Sequence, residues 1–365
     1  MSENSRAGIF KPIFLVLIIY VFLLSIKLLG HSFKLFGSGF AEGMLQATAD
    51  PFVGLLTGIL ATSLIQSSST TTSIVVGLVA GGGLSLPNAI PIIMGANIGT
   101  TITNTLVSMG HITNRVEFKR AFTAGIVHDF FNMAAVITLF PIELKFGIIE
   151  RAARALGEGF EGVGGTKAFN PLKAILNPVI KWIDGLLIPL PYGNVLMMVI
   201  ALVLMFGALT LLVKTIRSLM LGKLEVVIQR YLFRNDVMGL LLGIVMTAVV
   251  QSSSITTSII IPLAGAGLIT VRQLFPYTLG ANIGTTVTAL LAALATQNPV
   301  AVTVAFAHLC FNIFGILIFY PLKFIPIRLA LFVGEKATVS NRTMILFVLV
   351  YLMLYMVPLA FILLT

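Results

Sequence analysis

Charged residues are scarce in this chain of 365 residues: Asp, Glu, Lys and Arg together occupy only 10% of its positions. A soluble domain carries about 25%. Hydrophobic residues make up 58% of the sequence, and the mean hydropathy is +1.05. This composition excludes an ordinary soluble protein. It predicts an all-α integral membrane protein, whose spanning helices need about 20 apolar residues each.

Cysteine is almost absent. The single cysteine, Cys310, lies inside an apolar run, so neither an intrachain disulfide nor a thiolate metal cluster is expected. The formal net charge is +10, but the basic residues are spread over short loops without interleaved aromatic side chains. We therefore expect the lipid bilayer, and no nucleic acid, as a partner.

An internal repeat is the main feature of what is present. Residues 51–110 return, almost position for position, at residues 236–295. Two motifs carry the similarity: LIQSSSTTTS (Leu64–Ser73) matches VVQSSSITTS (Val249–Ser258), and GANIGTTIT (Gly95–Thr103) matches GANIGTTVT (Gly280–Thr288). The repeated residues are mostly Gln, Ser, Thr, Asn and Gly. A repeat kept for packing alone would repeat its apolar pattern, so these polar copies predict one site built from both.

Each copy interrupts its apolar sequence twice. The apolar run before each QSSS is too short to cross a bilayer, which predicts re-entrant helical hairpins at residues 52–83 and 237–267, with QSSS at the tip. The GANIGTT segments predict breaks in the following helices, at residues 87–110 and 272–296. Interrupted segments at matching places in two halves are typical of transporter binding sites near the membrane midplane. Free backbone groups are tolerated there only where they line a cavity or meet a ligand.

Basic residues predict the orientation of the two copies. Arg115, Lys119 and Arg120 follow the first GANIGTT segment, whereas the corresponding loop at residues 297–299 has no charge. Cytoplasmic loops are enriched in Lys and Arg, so the matching loops should lie on opposite sides of the membrane. We therefore expect inverted-topology repeats, with the N-terminus in the cytoplasm. The expected units are a first repeat at residues 1–160, an extracellular linker at 161–192, a second repeat at 193–340 and an additional transmembrane helix at 341–365.

Formal charge is missing from the repeated segments as well. Residues 51–110 contain no Asp, Glu, Lys, Arg or His, and residues 237–296 contain only Arg272. Helix N-termini and Ser or Thr hydroxyls suit an oxyanion, while Ser, Thr, Asn and Gln oxygens suit sodium. Because an uncompensated buried charge is costly, we expect cations to enter with the anion. The sequence thus predicts cation-coupled anion transport and no enzyme activity, with a hard monovalent cation such as sodium as the only metal.

Several motifs together resemble the type II sodium-dependent phosphate cotransporter family. They are the two QSSS motifs, the two GANIGTT segments, NRVEFKRAF at Asn114–Phe122 and VHDFFN at Val127–Asn132. The resemblance implies symport of inorganic phosphate, mainly as the divalent ion, with sodium into the cell across the plasma membrane, with no cofactor besides the coupling ion. Animal members have a long glycosylated, disulfide-bonded loop between the repeats. Here that loop is short and cysteine-free, so the chain resembles a compact bacterial member in the inner membrane.

The repeated polar residues supply the candidate ligands. The expected phosphate ligands are Ser67, Ser68, Ser69, Ser252, Ser253, Ser254, Gln66 and Gln251. The expected sodium ligands are Gln66, Gln251, Asn97, Thr100, Thr101, Asn282, Thr285, Thr286, Thr72 and Thr257. The candidate coupling residues are Asn114, His128, Asp129 and His308. Asn114 stands where electrogenic family members carry Asp, which leaves the number of sodium ions per phosphate open.

Other interpretations fit parts of the pattern. Serines and threonines in membrane helices often bond to their own backbone, and His128 and Asp129 fit a structural hydrogen bond between helices equally well. A cotransporter of another tetrahedral oxyanion, such as sulfate or arsenate, would use the same donors. An anion channel with the same hairpins would conduct without saturation or stoichiometric sodium coupling. A serine hydrolase is disfavoured, because neither serine segment contains a His or Lys base. The oligomeric state is not determined by the sequence.

Overall fold

A computed structural model describes residues 3–166, 170–231 and 235–354, and within these ranges the regular structure is entirely helical. The first eight helices are α1 (Glu3–Leu35), α2 (Ser38–Ala47), α3 (Pro51–Ile65), α4 (Ser68–Gly81), α5 (Leu86–Gly99), α6 (Ile102–Ser108), α7 (Arg115–Phe146) and α8 (Ile148–Gly162). The remaining helices are α9 (Asn170–Leu187), α10 (Gly193–Tyr231), α11 (Asp236–Val250), α12 (Ser253–Gly265), α13 (Val271–Thr296), α14 (Pro299–Phe319), α15 (Phe324–Ala337) and α16 (Asn341–Leu354).

Six stretches among the described residues are long and apolar enough to cross a membrane. They are Ile13–Leu35, Leu86–His111, Arg115–Phe146, Gly193–Leu212, Val271–Thr296 and Pro299–Phe319. The prediction of an all-α, multi-pass membrane protein is therefore confirmed. The additional C-terminal helix begins at Asn341 and is described as far as Leu354, and the rest of that predicted segment lies outside the described residues.

Each QSSS motif turns the chain between two short helices. In the first copy α3 ends at Gln66, which has the left-handed backbone φ of 56°, and α4 follows. In the second copy Gln251, with φ of 60°, separates α11 from α12 in the same way. The four arms are only 13–15 residues long, which is shorter than a spanning helix requires. Each motif therefore lies at the turn between two short helices, and the re-entry of these hairpins into the membrane stays a prediction.

The two GANIGTT segments differ, and the break predicted within residues 272–296 is wrong. In the first copy α5 ends at Gly99 and α6 begins at Ile102, so the chain is interrupted at Thr100 and Thr101. In the second copy α13 is continuous from Val271 to Thr296. The hydroxyl bonds of Thr285 and Thr286 to their own helix do not explain this, because Thr100 and Thr101 make the same bonds in the first copy. Tertiary contacts separate the copies: Asn104 of α6 accepts a hydrogen bond from Thr257 of α12. The matching position in α13 is Ala289, which offers no such acceptor.

Glycine lets the first arm of each hairpin lie directly against the helix that follows the hairpin. A Cβ added at Gly95 would lie 2.0 Å from the Leu55 carbonyl oxygen, and one added at Gly280 would lie 2.0 Å from that of Leu240. Backbones approach this closely in membranes where small residues line the contact. The tight pairs α3–α5 and α11–α13 thereby fix where each tip ends.

The second arms pack across the molecule. α4 lies against α13 of the other repeat, and α12 lies against α6 and α7 of the first. The segment predicted as the inter-repeat linker contains helix α9, whose Asp184 pairs with His31 of α1 at 3.0 Å. The cross-repeat packing of α4 and α12 brings the two tips to one place in the core.

The glycine contacts give a direct test. We expect Gly95→Ala to lower the apparent unfolding temperature of the detergent-solubilised protein, because α3 and α5 must separate; overpacking costs about 1–3 kcal/mol. The control is Gly207→Ala, at an exposed α10 position where an added Cβ meets nothing within 4 Å. Gly207→Ala should match or exceed wild-type stability, since Ala favours helix over Gly. Equal melting of the two variants would contradict the packing described.

Candidate functional site

The two hairpin tips touch each other through a reciprocal pair of hydrogen bonds. Ser69 donates its hydroxyl to the Gln251 carbonyl at 3.1 Å. Ser254, at the equivalent position of the second tip, donates to the Gln66 carbonyl at 3.5 Å. Both acceptors are the left-handed residues that end the first arms. Ser69, Ser254, Gln66 and Gln251, from repeats 185 positions apart, are thus brought into one cluster.

Each tip is stabilised by its own hydroxyls. Ser67 caps α4 by accepting a hydrogen bond from the Thr70 N–H at 3.2 Å, and Ser252 caps α12 through the Ile255 N–H at 3.4 Å. A hydrogen bond between threonine hydroxyls also joins the arms of each hairpin. It links Thr62 to Thr71 at 2.9 Å in the first hairpin and Thr247 to Thr256 at 2.7 Å in the second. The first-turn N–H groups of Ser68, Ser69, Ser253 and Ser254 have no acceptor within their helices. They are the donors that an oxyanion would meet.

Every tip joins two helix ends of opposite polarity. The carbonyl end of α3 carries partial negative charge, and the N–H end of α4 carries partial positive charge. α11 and α12 are arranged in the same way. The docked tips therefore place cation-attracting carbonyls beside anion-attracting amides, in hairpin segments (residues 52–83 and 237–267) that contain no charged side chain.

All six threonines expected to bind sodium lie within hydrogen-bond distance of a carbonyl three or four residues earlier in the chain. Thr72 donates to the Ser68 carbonyl at 2.8 Å. The pattern of Thr72 holds for Thr100, Thr101, Thr285 and Thr286. Thr257 Oγ1 lies 2.8 Å from both the Ser253 carbonyl and Asn104 Oδ1, which share its single hydroxyl hydrogen. These bonds occupy the hydroxyl hydrogen and leave oxygen lone pairs for another donor or a cation.

A chain of hydrogen bonds crosses from one repeat to the other beside the tips. His128 Nε2 donates to Asn282 Oδ1 at 2.6 Å, and Asn282 Nδ2 donates to Asn132 Oδ1 at 2.7 Å. Asn132 Nδ2 in turn donates to the Asn97 carbonyl at 2.8 Å. All four residues are buried. The GANIGTT asparagines are therefore held by α7, the helix that contains the VHDFFN motif.

Among the described residues, the equivalent series of hydrogen bonds from α14 to Asn97 is not formed. His308 and Asn312 occupy the positions that correspond to His128 and Asn132, 180 residues further on. Asn312 donates to the His308 carbonyl, and Asn97 donates to the Ile93 carbonyl of its own helix. Both ring nitrogens of His308 are buried without a hydrogen-bond partner among the described residues. The two halves of the molecule are thus in different states.

The tips differ as well. The Gln66 side chain is exposed, whereas Gln251 is only 8% exposed. Gln251 Nε2 donates to the Ala248 carbonyl, and Gln251 Oε1 has no partner among the described residues. The four residues QSSS are the same in both copies, so the two glutamines differ in their surroundings and not in the motif itself.

The remaining coupling candidates lie in very different environments. Asp129 is buried within α7, beside His128. Asn114 is exposed, caps the start of α7 and donates to Glu117 Oε1 at 2.8 Å. The structure therefore brings His128 into the asparagine network and places Asn114 at a helix end, bonded to neighbours in its own segment.

Sequence reasoning missed three polar contacts of this region. Asn104 accepts from Thr257, Asn132 bridges Asn282 to Asn97, and the Tyr277 hydroxyl donates to the Thr256 carbonyl at 3.2 Å. Asn132 gave a usable signal, because Asn312 repeats it beside a histidine. Asn104 gave none, since its counterpart is Ala289. Within the described part of the chain, no group of three or more His, Cys, Asp or Glu side chains could hold a metal ion.

Two stretches of the sequence, residues 21–164 and 203–356, match the protein family described as Na+/Pi-cotransporter. The chain belongs to this family. It is 33% identical to sodium-dependent phosphate transport protein 2B of Homo sapiens, over 90% of this chain and 61% of that protein. It is 34% identical to sodium-dependent phosphate transport protein 2A of Ovis aries, over 97% of this chain and 68% of that protein. Against protein 2A of Rattus norvegicus the identity is 34%, over 92% and 65% of the two chains.

This family member spans only about three-fifths of the length of the 2B relative. No solved structure matches the chain. The two matched stretches each contain one QSSS hairpin and the GANIGTT segment that follows it. The family match therefore covers both halves of the tip cluster and the helices that hold it.

The unequal histidines give a second test. We expect His128→Leu to destabilise the protein, because it leaves Asn282 Oδ1 buried without its donor, at a cost of about 1–3 kcal/mol. His308→Leu is the matched control, because it removes a ring that has no described partner and should cost little. Thermal unfolding of both variants in detergent measures the difference. If His308→Leu lost as much stability as His128→Leu, the asymmetric network would be incorrect.

Proposed function

We propose that this chain is a secondary active transporter that carries inorganic phosphate into the cell together with sodium. It acts by alternating access around the two docked QSSS tips and performs no enzymatic chemistry. The observation that carries this proposal is the reciprocal contact of the tips in a family member whose hairpin segments, residues 52–83 and 237–267, contain no charged side chain. The relatives named as sodium-dependent phosphate transport proteins support the choice of substrate and coupling ion.

Phosphate binds, in this proposal, at the N-terminal ends of α4 and α12. The ligands are the first-turn N–H groups and the side chains of Ser67, Ser68, Ser69, Ser252, Ser253, Ser254, Gln66 and Gln251. Two helix N-termini facing one anion supply directed donors and partial positive charge. They do not supply full neutralisation, which leaves a divalent anion short of positive charge.

Sodium supplies the missing charge from the opposite helix ends. The carbonyls of Gln66 and Gln251 and the buried Gln251 Oε1 are oxygen donors at the tip. The further proposed ligands are Asn97, Asn282, Thr72, Thr257, Thr100, Thr101, Thr285 and Thr286. Broken or short helices in transporters use these two kinds of ends for cations and anions. Coupling follows because each ion lowers the electrostatic cost of binding the other.

The asymmetry of the two halves supports alternating access. In the opposite-facing state we expect the repeats to exchange roles, so that His308 bonds to Asn97 while His128 releases Asn282. Helix α14 already contacts α5, the helix that carries Asn97. Asp129 and Asn114 are proposed to tune coupling from α7. A ligand or ion moves such an equilibrium only by its different affinity for the two states.

The proposed membrane topology is that of inverted repeats in a bacterial inner membrane, with the N-terminus cytoplasmic and residues 161–192 extracellular. Two cavities support this arrangement. One gathers Arg115 with residues 267–271 and Val339, and another gathers His31, Ala80, Asp184 and Thr296. Loops expected on the cytoplasmic side thus share the first cavity, and loops expected outside share the second.

Uptake of labelled phosphate into proteoliposomes tests the proposal. With an inward sodium gradient, wild type should accumulate phosphate, and replacing sodium by potassium should abolish accumulation. Ser69→Ala and Ser254→Ala should each reduce uptake about tenfold or more, since a lost hydrogen bond to a charged group costs about 1.5–3 kcal/mol. Ser25→Ala is the control, because Ser25 is a buried serine of α1 that bonds to its own helix. Sodium-independent uptake would refute the proposal.

Competition separates phosphate from other tetrahedral oxyanions. Unlabelled phosphate should inhibit uptake of labelled phosphate at much lower concentration than sulfate does, because a partly protonated phosphate donates a hydrogen bond to a carbonyl acceptor and sulfate cannot. The Gln66 and Gln251 carbonyls are acceptors of this kind. Equal inhibition by both ions would assign the site to oxyanions in general and contradict selectivity for phosphate.

A further inference from the structure

The NRVEFKRAF motif has no part in the tip cluster, yet it lines a large cavity. Three of its cationic residues, Arg115, Lys119 and Arg120, face a space of about 1030 Å³ between α7, the loop before α13 and the end of α15. The only acidic residue among the lining side chains is Glu335. Three cations and one anion therefore leave the cavity with excess positive charge.

The cations of this cavity differ in how strongly their present partners hold them. Arg115 Nη2 donates to the carbonyls of Thr338 and Val339, so it joins α7 to the segment that follows α15. Lys119 Nζ lies 3.9 Å from Glu335 Oε1, and both side chains are largely exposed, at 45% and 71%. Such a long, solvated pair holds a lysine weakly. Lys119 can therefore turn to another anion at small cost.

The Arg120 guanidinium lies against the backbone at Gly267. Its Nη1 is 2.5 Å from the position that a Cβ would occupy at Gly267, a glycine with φ of +80°. The absence of a side chain there leaves room for the guanidinium beside the start of α13. The first turn of this 26-residue helix lies at the same cavity, which Thr270 and Val271 line. A capping box takes the N–H groups of Thr270 and Gln273, so the helix end contributes its partial positive charge and the N–H groups between these two residues. Guanidinium and helix N-terminus converge on one space, which suits a phosphate group.

The rim of the cavity is apolar and exposed. Val116 and Val339 are 61% and 63% exposed, and Leu331 is 44% exposed, although all three line the cavity. A free inorganic ion would make no use of this rim. An amphiphile would place its phosphate among the cations and its apolar part along Val116 and Leu331. Basic pockets between transmembrane helices at a membrane surface are typical sites for anionic lipid headgroups.

We propose that this basic cavity binds the phosphate group of an anionic phospholipid. On the proposed topology the cavity faces the cytoplasm, where it would receive a lipid of the inner leaflet. Because Arg115 links α7 to the segment after α15, and α7 also carries His128, a lipid held here contacts the same helix as the asparagine network.

Lipid binding to the full-length protein tests this inference. The purified, delipidated protein is titrated with phosphatidylglycerol or phosphatidylcholine, and bound lipids are counted by native mass spectrometry. Wild type should prefer phosphatidylglycerol at one site. The double variant Lys119→Gln/Arg120→Gln should bind it about tenfold or more weakly, as expected for loss of charge-assisted hydrogen bonds. The charge-retaining variant Lys119→Arg/Arg120→Lys should keep most of the affinity.

The matched control removes the same charge from a neighbouring surface. Arg272 and Arg328 line a different cavity, together with Lys323 and Asp236, so Arg272→Gln/Arg328→Gln should change affinity less than about twofold if the proposed site is specific. Equal loss in both double variants would reduce the effect to general surface charge and overturn the proposal. Displacement of the lipid by millimolar inorganic phosphate would also overturn it, in favour of a free-phosphate site.

Discussion

An anion cannot be buried beside the two tips without compensation, because the hairpin segments around them, residues 52–83 and 237–267, contain no charged side chain. At the docked tips, the partial charges of helix ends take the place of charged side chains. The N–H ends of α4 and α12 face one region, the carbonyl ends of α3 and α11 face the same region, and the two tips are joined through Ser69 and Ser254. Partial charges of both signs are thus held side by side. In the proposed transporter this arrangement favours a neutralised ion cluster over either ion alone.

The rest of the structure maintains that contact. Glycines such as Gly95 and Gly280 seat the first arm of each hairpin on the next helix, while α4 and α12 reach across to the other repeat. Contact between the two repeats also occurs in the polar network, where His128 of the first repeat bonds to Asn282 of the second. His308 lacks the matching bond, and Gln66 and Gln251 differ in exposure. The duplicated sequence therefore has two different local arrangements within one molecule, which is the asymmetry that the proposed alternating-access mechanism would use.

Several features were readable from sequence because they depend on local chemistry. The short apolar arms, the QSSS turns and the spanning helices follow from run length and from residues that favour turns and caps. The unbroken α13 was not readable from the GANIGTT motif, because the motif is identical in both copies. The copies differ three residues later, where Asn104 bonds to Thr257 and its counterpart is Ala289. The sequence predicted one site built from both tips, but it did not predict the reciprocal hydrogen bonds between them. The bridge through Asn132 joins residues 150 positions apart, and no local pattern specifies such pairing.

The central claim is that two tips form one site. Equilibrium binding of labelled phosphate to the purified protein, in sodium and in potassium, tests it most directly. The account predicts one phosphate per chain in sodium, far weaker binding in potassium, and loss of the same single site on substitution of either Ser69 or Ser254. Two phosphates per chain, each removed by a substitution in only one tip, would contradict it.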